Sequence, residues 1–197
     1  MLVSTRMAFS LQTYVNRVKK DTELFKAFLS NQKEIPEFRS FPEIVLGNVT
    51  ADNVLIAVIT PNCPSCAALY RSIQRFLKSN SDALKVILRF KPGERDNGWD
   101  RQVIEYVLSF NINNMKEKAL SVLEEWYNME YREINVWKKK CNLTDTTVSE
   151  EAKLMREAYG NWLLSVDISG APAMILNNKP APVYYTFDDV KYFLKRM

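Results

Sequence analysis

Six consecutive apolar residues, Val54-Leu55-Ile56-Ala57-Val58-Ile59, four of them β-branched, predict a strand covered on both faces. Behind them Cys66, Leu69, Tyr70, Ile73, Phe76 and Leu77 recur at the three- and four-residue spacing of a helix face. Arg71, Arg75 and Lys78 fall between them. Leu84 to Phe90 alternates and branches like a second strand, and Pro92-Gly93 stops it. Strand, helix and strand in succession form a βαβ unit with parallel strands.

On either side of this unit the period is that of helices. Leu11, Tyr14, Val15 and Val18, then Leu24, Phe25, Phe28 and Leu29, mark helical segments from Phe9 to about Asn31, with Asp21 placed to cap the second. Pro36 to Pro42 breaks the pattern, and Glu43-Ile44-Val45-Leu46 before Gly47 reads as a short strand. Beyond Phe90 the helical pattern runs through Trp99–Phe110, Met115–Tyr127 and Glu133–Lys140. A last long helix is capped near Thr147-Val148-Ser149-Glu150 and carries Leu154, Met155, Ala158, Trp162 and Leu163. This is far more chain than one crossover needs, and a helical insertion between two halves of the sheet accounts for it. The end reads as a hairpin: Ala173-Met174-Ile175-Leu176, the turn pair Asn177-Asn178, and a strand at Val183-Tyr184-Tyr185. A helix from Phe187 follows, capped by Thr186 with Asp189 three residues on.

With 197 residues, 47% of them hydrophobic, the chain can bury one good core with a helical appendage. A net charge of +4, spread over helices where both signs alternate, does not suggest nucleic acid as a partner. The sequence contains no histidine, which excludes Ser–His–Asp and Cys–His nucleophiles and histidine-based metal sites. Three cysteines, Cys63, Cys66 and Cys141, are too few for a four-cysteine zinc site, and no metal or organic cofactor is expected. No apolar run approaches the ~18–20 residues of a membrane span, and Met1–Ser10 lacks the apolar stretch of a secretory signal.

Cys63-Pro64-Ser65-Cys66 lies where the central strand gives way to the amphipathic helix. A first cysteine at a helix N-terminus meets free amide N–H groups and the positive end of the macrodipole, which stabilise a thiolate. Cys63 is therefore the candidate nucleophile. Cys66, one turn in, is the candidate resolving thiol, and Pro64 can open the helix without losing a needed hydrogen bond. A static disulfide or half of a metal site are the bland alternatives. Cys141 follows a helix end and reads as a lone thiol. Trp99, Trp126, Trp137 and Trp162 read as core of the insertion, or as the rim of an apolar client groove.

The order βαβ then ββα, with C-x-x-C heading the first helix and Gly170-Ala171-Pro172 before the hairpin strand, resembles the thioredoxin fold. Such a resemblance implies a cis-proline at Pro172 facing the cysteines. It implies an α/β protein with a thioredoxin-like central mixed sheet and an inserted helical subdomain. The divisions would be a helical tether at 1–35, the thioredoxin-like domain at 40–92 and 168–197, and the insertion at 95–166. The insertion is similar to that of the DsbA-like branch. Ile44–Asn48, Trp126-Tyr127-Asn128 and Thr186–Leu194 resemble the thioredoxin-like domain fused behind bacterial vitamin K epoxide reductase homologues.

From this resemblance follow a thiol–disulfide oxidoreductase acting on cysteine-containing client proteins and, as possible partner, a membrane protein of the vitamin K epoxide reductase type. A periplasmic or otherwise extracytoplasmic location also follows, in a domain of a membrane-anchored protein. Ala171, Pro172, Asn62, Pro64 and Ser65 become the residues expected to face substrate. Asn62 stands where thioredoxins usually have tryptophan. The pair Pro64-Ser65 is neither the Gly-Pro of thioredoxin nor the Pro-His of strong oxidases. An oxidase or isomerase role, a reductase role and a non-catalytic binding module of the same fold are the three readings open at this level.

Overall fold

The computed structural model describes residues 2–38, 42–93, 98–143 and 148–194. Its centre is a five-stranded mixed sheet in the order β1-β3-β2-β4-β5. The central strand β2 (Val54–Ile59) pairs in parallel with β3 (Lys85–Phe90), Val54 opposite Lys85 and Ile59 opposite Phe90. On its other side β2 pairs antiparallel with β4 (Ala173–Leu176), and β1 (Ile44–Gly47) closes the far edge antiparallel to β3. The predicted both-faced burial of β2 is observed, and period 2 divides it between two cores. Leu55, Ala57 and Ile59 join the larger cluster, while Ile56 and Val58 join a smaller one with Ile35, Ile87, Trp162, Leu163 and Ile175.

Between β2 and β3 runs α3 (Pro64–Ser79), which buries Cys66, Leu69, Tyr70, Ile73 and Phe76 as the spacing requires. Gly47 ends β1 with a φ of +73°, and a Cβ there would stand 2.2 Å from the Leu84 carbonyl oxygen. Only glycine fits that approach.

Among the described residues four helices stand between β3 and β4: α4 (Trp99–Ile112), α5 (Lys116–Asn128), α6 (Ile134–Lys140) and α7 (Glu150–Ser165). Their boundaries agree with the sequence pattern to within a residue or two. Val103, Ile104, Val107, Leu123, Trp126 and Trp137 belong to the same apolar cluster as the sheet residues Leu55 and Phe90, so sheet and insertion share one core. The last of these helices is capped by Ser149, whose Oγ accepts the Ala152 N–H at 3.2 Å and whose own N–H donates to Ser109 Oγ at 3.1 Å. Thr147, the earlier half of the expected cap, lies outside the described residues. Ser149→Ala is expected to lower stability by about 1 kcal/mol, read as a shift in the urea midpoint with an unchanged slope.

The second strand of the terminal hairpin is not where its apolar residues suggest. β5 is Lys179–Pro180, directly after the turn, with Leu176 opposite Lys179 and Ile175 opposite Pro180. Asn177 and Asn178 both adopt positive φ, 49° and 64°, which makes a tight two-residue turn and fixes the register at once. Pro180 and Pro182 cannot donate to a ladder, and pairing ends between them with the Ala181 N–H, which donates to the Met174 carbonyl at 2.8 Å. Val183 and Tyr184 are left 89% and 79% exposed in a turn, and Tyr185 folds back into the core.

Tyr185 meets α2 (Thr22–Ser30) and α8 (Phe187–Leu194). Phe25 stacks on Phe193 with ring centroids 4.1 Å apart and lies 5.0 Å from Tyr185. Asp21 caps α2 through the Leu24 N–H, and Thr186 and Asp189 form a reciprocal cap on α8. Within the 1–35 segment α2 is thus packed into the core, whereas α1 (Leu2–Lys19) exposes Met7, Leu11, Tyr14 and Val15. Among the described residues no helix is long and apolar enough to cross a membrane.

Candidate functional site

Cys63 is the N-cap of α3. Its backbone is extended (φ −115°, ψ 113°), and Pro64 supplies the preset φ of the first helical position. The Cys63 sulfur takes the role a serine or aspartate oxygen usually has at a cap. It accepts the Cys66 N–H at 3.0 Å. On its other side it lies 3.9 Å from the Ala171 carbonyl oxygen. The Ala171–Pro172 peptide bond is cis, as the motif led us to expect. The elements that bring these residues together are neighbours in the sheet, because β2 delivers Cys63 and the adjacent β4 begins with Ala173 directly after Pro172.

Accessibility separates the two cysteines. Cys63 is half-buried, while Cys66 is fully buried in the first turn of α3, and all three cysteines are free thiols. Burial pushes the Cys66 thiol well up from its ordinary value. Its hydrogen bond with Cys63 and the charges of Cys63 and Asp100 act in the same direction, and the Thr60 backbone opposes them. The buried sulfur is therefore held protonated, and only Cys63 is open to a large partner.

The other residues expected at the site surround the outer sulfur. Asn62 is half-buried before it, and Pro64 and Ser65 are exposed after it. Ala171 and Pro172 face it across the gap, the proline exposed. Beside them runs a groove of about 480 Å³ lined by Ser65, Ala68, Leu69, Pro172, Met174 and Val183 among others. A larger recess of about 790 Å³ lies between α3 and α8 and contains no sulfur.

Three residues at this site were not expected from sequence. Tyr127 Oη donates to the Thr60 carbonyl at 3.1 Å, and Trp126 Nε1 donates to the Pro61 carbonyl at 3.2 Å. The Asn62 N–H donates to Asp100 Oδ1 at 3.0 Å. Of core and groove rim, Trp126 is core, fully buried, and it also holds the loop that leads to Cys63. Trp137 and Trp162 are core as well, and Trp99 packs partly buried against it. The one sequence signal for Asp100 is an acidic residue in the first turn of a helix otherwise apolar on its buried side, and that usually means a solvated helix start.

Cys141 is buried at the end of α6, and burial, with the nearby Glu125 charge, pushes its thiol up. The Lys118 ammonium donates to its carbonyl at 3.0 Å. Among the described residues no three or more His, Cys, Asp or Glu side chains cluster closely enough to share a metal ion.

The thioredoxin family model matches residues 40–196 of the chain. No curated protein sequence matches it. Solved structures of the same fold include the catalytic domain of Proteus mirabilis ScsC, with a TM-score of 0.69 at 16% identity over 81% of this chain and 90% of that one. A periplasmic thioredoxin-like protein from Salmonella enterica serovar Typhimurium gives 0.68 at 18% identity, over 83% and 98%. Oxidised BdbD from Bacillus subtilis gives 0.61 at 13% identity, over 83% and 97%.

Proposed function

The chain belongs to the thioredoxin family, and from that premise we propose that it is a thiol–disulfide oxidoreductase working on protein cysteines through a mixed disulfide on Cys63. One observation carries this reading. An accessible sulfur heads a helix, holds the backbone N–H of its buried partner at 3.0 Å, and faces the Ala171-Pro172 edge. In the oxidising direction a client thiolate attacks Cys63 Sγ of the Cys63–Cys66 disulfide, and Cys66 leaves as a thiolate and takes up a proton. A second client thiolate then attacks the client sulfur of the mixed disulfide and releases Cys63. The client gains a disulfide, and its two electrons rest on the reduced pair. Because burial raises Cys66, the released sulfur takes up its proton at once and does not persist as an anion.

Asn62, Pro64, Ser65, Ala171 and Pro172 frame the sulfur and are the residues that meet the client chain. No further cofactor is needed, because the sulfur pair stores the electrons. The helices of 95–166 form an insertion on the thioredoxin-like domain of 40–92 and 168–197. The likeness in fold to a protein described as periplasmic supports an extracytoplasmic location, and an oxidase- or isomerase-type direction is the one proposed here. A membrane redox protein of the vitamin K epoxide reductase type is the partner suited to reoxidise the pair.

The reduction potential of the pair tests this reading, by equilibration across glutathione buffers followed by thiol trapping. The expected value lies between roughly −120 and −180 mV, the range of strong oxidases and isomerases. A value near about −270 mV makes the protein a reductase that needs an electron supply. A pair that stays oxidised well below about −300 mV is a structural bridge, and the enzymatic reading fails.

A further inference from the structure

Both signs of charge alternate along the other helices, and the net charge of +4 has a single source. Residues 1–20 hold Arg6, Arg17, Lys19 and Lys20 and not one Asp or Glu; beyond them the two signs balance, 23 against 23. The same stretch forms α1, and its apolar side chains share one face. Met7 to Leu11, Leu11 to Tyr14 and Leu11 to Val15 are steps of three or four, and these residues are 67%, 57%, 68% and 42% exposed. Arg17 stands three residues after Tyr14 and Lys19 four after Val15, one on each flank of the row. Gln12 and Asn16 pair with each other at 3.1 Å on the far side. The helix joins the domain at its last turn, where Lys19 Nζ meets Asp189 Oδ2 at 3.2 Å. From Met7 to Arg17 every described side chain is exposed.

A helix bare along its length takes little from packing, and in water its own hydrogen bonds give it only marginal stability. A surface that accepts the apolar row would stabilise it, and charge selects which surface. A second copy of α1 would set like charges together in either orientation, since residues 1–20 offer no carboxylate. An anionic bilayer surface complements both features. Apolar side chains enter the headgroup boundary, a tyrosine rests at its level, and arginine and lysine stems reach the phosphates. The helix is too polar to cross the bilayer instead. We propose that α1 lies on an anionic membrane surface, with Met7, Leu11, Tyr14 and Val15 in the headgroup boundary and its basic end drawn to the lipid phosphates. This docking uses neither sulfur and goes beyond the redox reading, so Cys63→Ser should bind membranes as the unaltered chain does.

Co-sedimentation of the whole chain with vesicles tests the proposal, using phosphatidylcholine alone and phosphatidylcholine mixed with phosphatidylglycerol. Binding is expected to the mixed vesicles, and it should weaken steeply as salt rises from about 0.05 to about 0.5 M. Leu11→Asp should lower the partition about tenfold or more, by taking an apolar group out of the row. Arg17→Gln and Lys20→Gln should each lower it about fivefold on the mixed vesicles. All three positions are exposed, so the urea midpoint should not move. On the unaltered protein, the amides of Met7–Arg17 should gain protection from hydrogen exchange when mixed vesicles are added. No binding to the mixed vesicles overturns the proposal, as does equal binding to both lipids or protection confined to other elements. A dimer or larger species that Leu11→Asp dissolves, seen by sedimentation velocity without vesicle binding, overturns it in favour of a second copy. The reduction potential of the cysteine pair is independent of all these outcomes, so failure of the docking and failure of the redox reading are separately visible.

Discussion

Cys63→Ser is expected to abolish disulfide transfer, with a loss on the order of a thousandfold or more, while Cys66→Ser turns the protein into a trap that retains its client. The first variant should lose the reaction without losing the fold. Serine is a preferred N-cap, and its oxygen can accept the Cys66 N–H that the sulfur now holds at 3.0 Å, so the head of α3 is preserved. A serine hydroxyl has no thiolate to offer, and the remaining sulfur is fully buried and held protonated, so it cannot substitute. Cys66→Ser leaves Cys63 in place and removes the thiol that, in the reducing direction, attacks Cys63 of the mixed disulfide and frees the client. When Cys63 attacks a disulfide-bonded peptide, the mixed disulfide should then accumulate and be visible as a mass adduct on Cys63. Cys141→Ser is expected to change neither step, since that thiol is buried at the end of α6 and raised by burial. Full activity in Cys63→Ser, or release from Cys66→Ser at the wild-type rate, would place the chemistry elsewhere.

That candidate centre was legible in the sequence because each of its parts is a local signal. A β-branched run predicts β2, a three-four spacing predicts α3, and C-P-S-C between them can only fall at the strand-to-helix junction. The second half of the site, Ala171-Pro172, lies more than a hundred residues further on. It was found by resemblance to the family's strand pattern and not by any property of the intervening chain. The hairpin shows where local signals mislead. Val183, Tyr184 and Tyr185 have the strand propensity, yet Asn177 and Asn178 in positive φ set the register, and the ladder closes at Lys179–Pro180. Turn geometry overrode side-chain preference there. The clamp of Asp100, Trp126 and Tyr127 was illegible for a different reason. Its partners are backbone groups of Thr60, Pro61 and Asn62, which carry no sequence signature, and the contacts span 38 to 67 residues of chain. A tryptophan in a helical pattern reads as core whether or not its indole N–H has a task.

Arg89 is the other residue whose position the pattern predicted but whose environment it did not. The strand from Leu84 to Phe90 places it on one face of a buried sheet, and it is 2% exposed, beside Ile87 and Trp162. Its Nε donates to Glu43 Oε1 at 2.8 Å and its Nη2 to the Phe38 carbonyl at 3.2 Å. The guanidinium carbon stands 4.2 Å from the Trp162 ring centroid and 5.0 Å from that of Phe38. Nη1 has no hydrogen-bond partner among the described residues. A charge that cannot be shed is thus buried against one carboxylate, one carbonyl and two rings. The two halves of the ion pair are not equivalent, because the Glu43 side chain keeps 17% of its surface in water, against 3% for Arg89. Glu43→Ala is therefore expected to cost about 3–5 kcal/mol, since it strands a permanent charge in the sheet's second core. Arg89→Met should cost less, about 1–2 kcal/mol, because methionine fills the space of the stem and water or a proton can reach the orphaned carboxylate. The double variant should then be no less stable than Arg89→Met alone, so that the second substitution is free once the first is made. Urea unfolding of the three variants gives the order directly. If Glu43→Ala proves milder than Arg89→Met, the stabilising interactions of Arg89 are with the rings of Trp162 and Phe38 and not with the carboxylate.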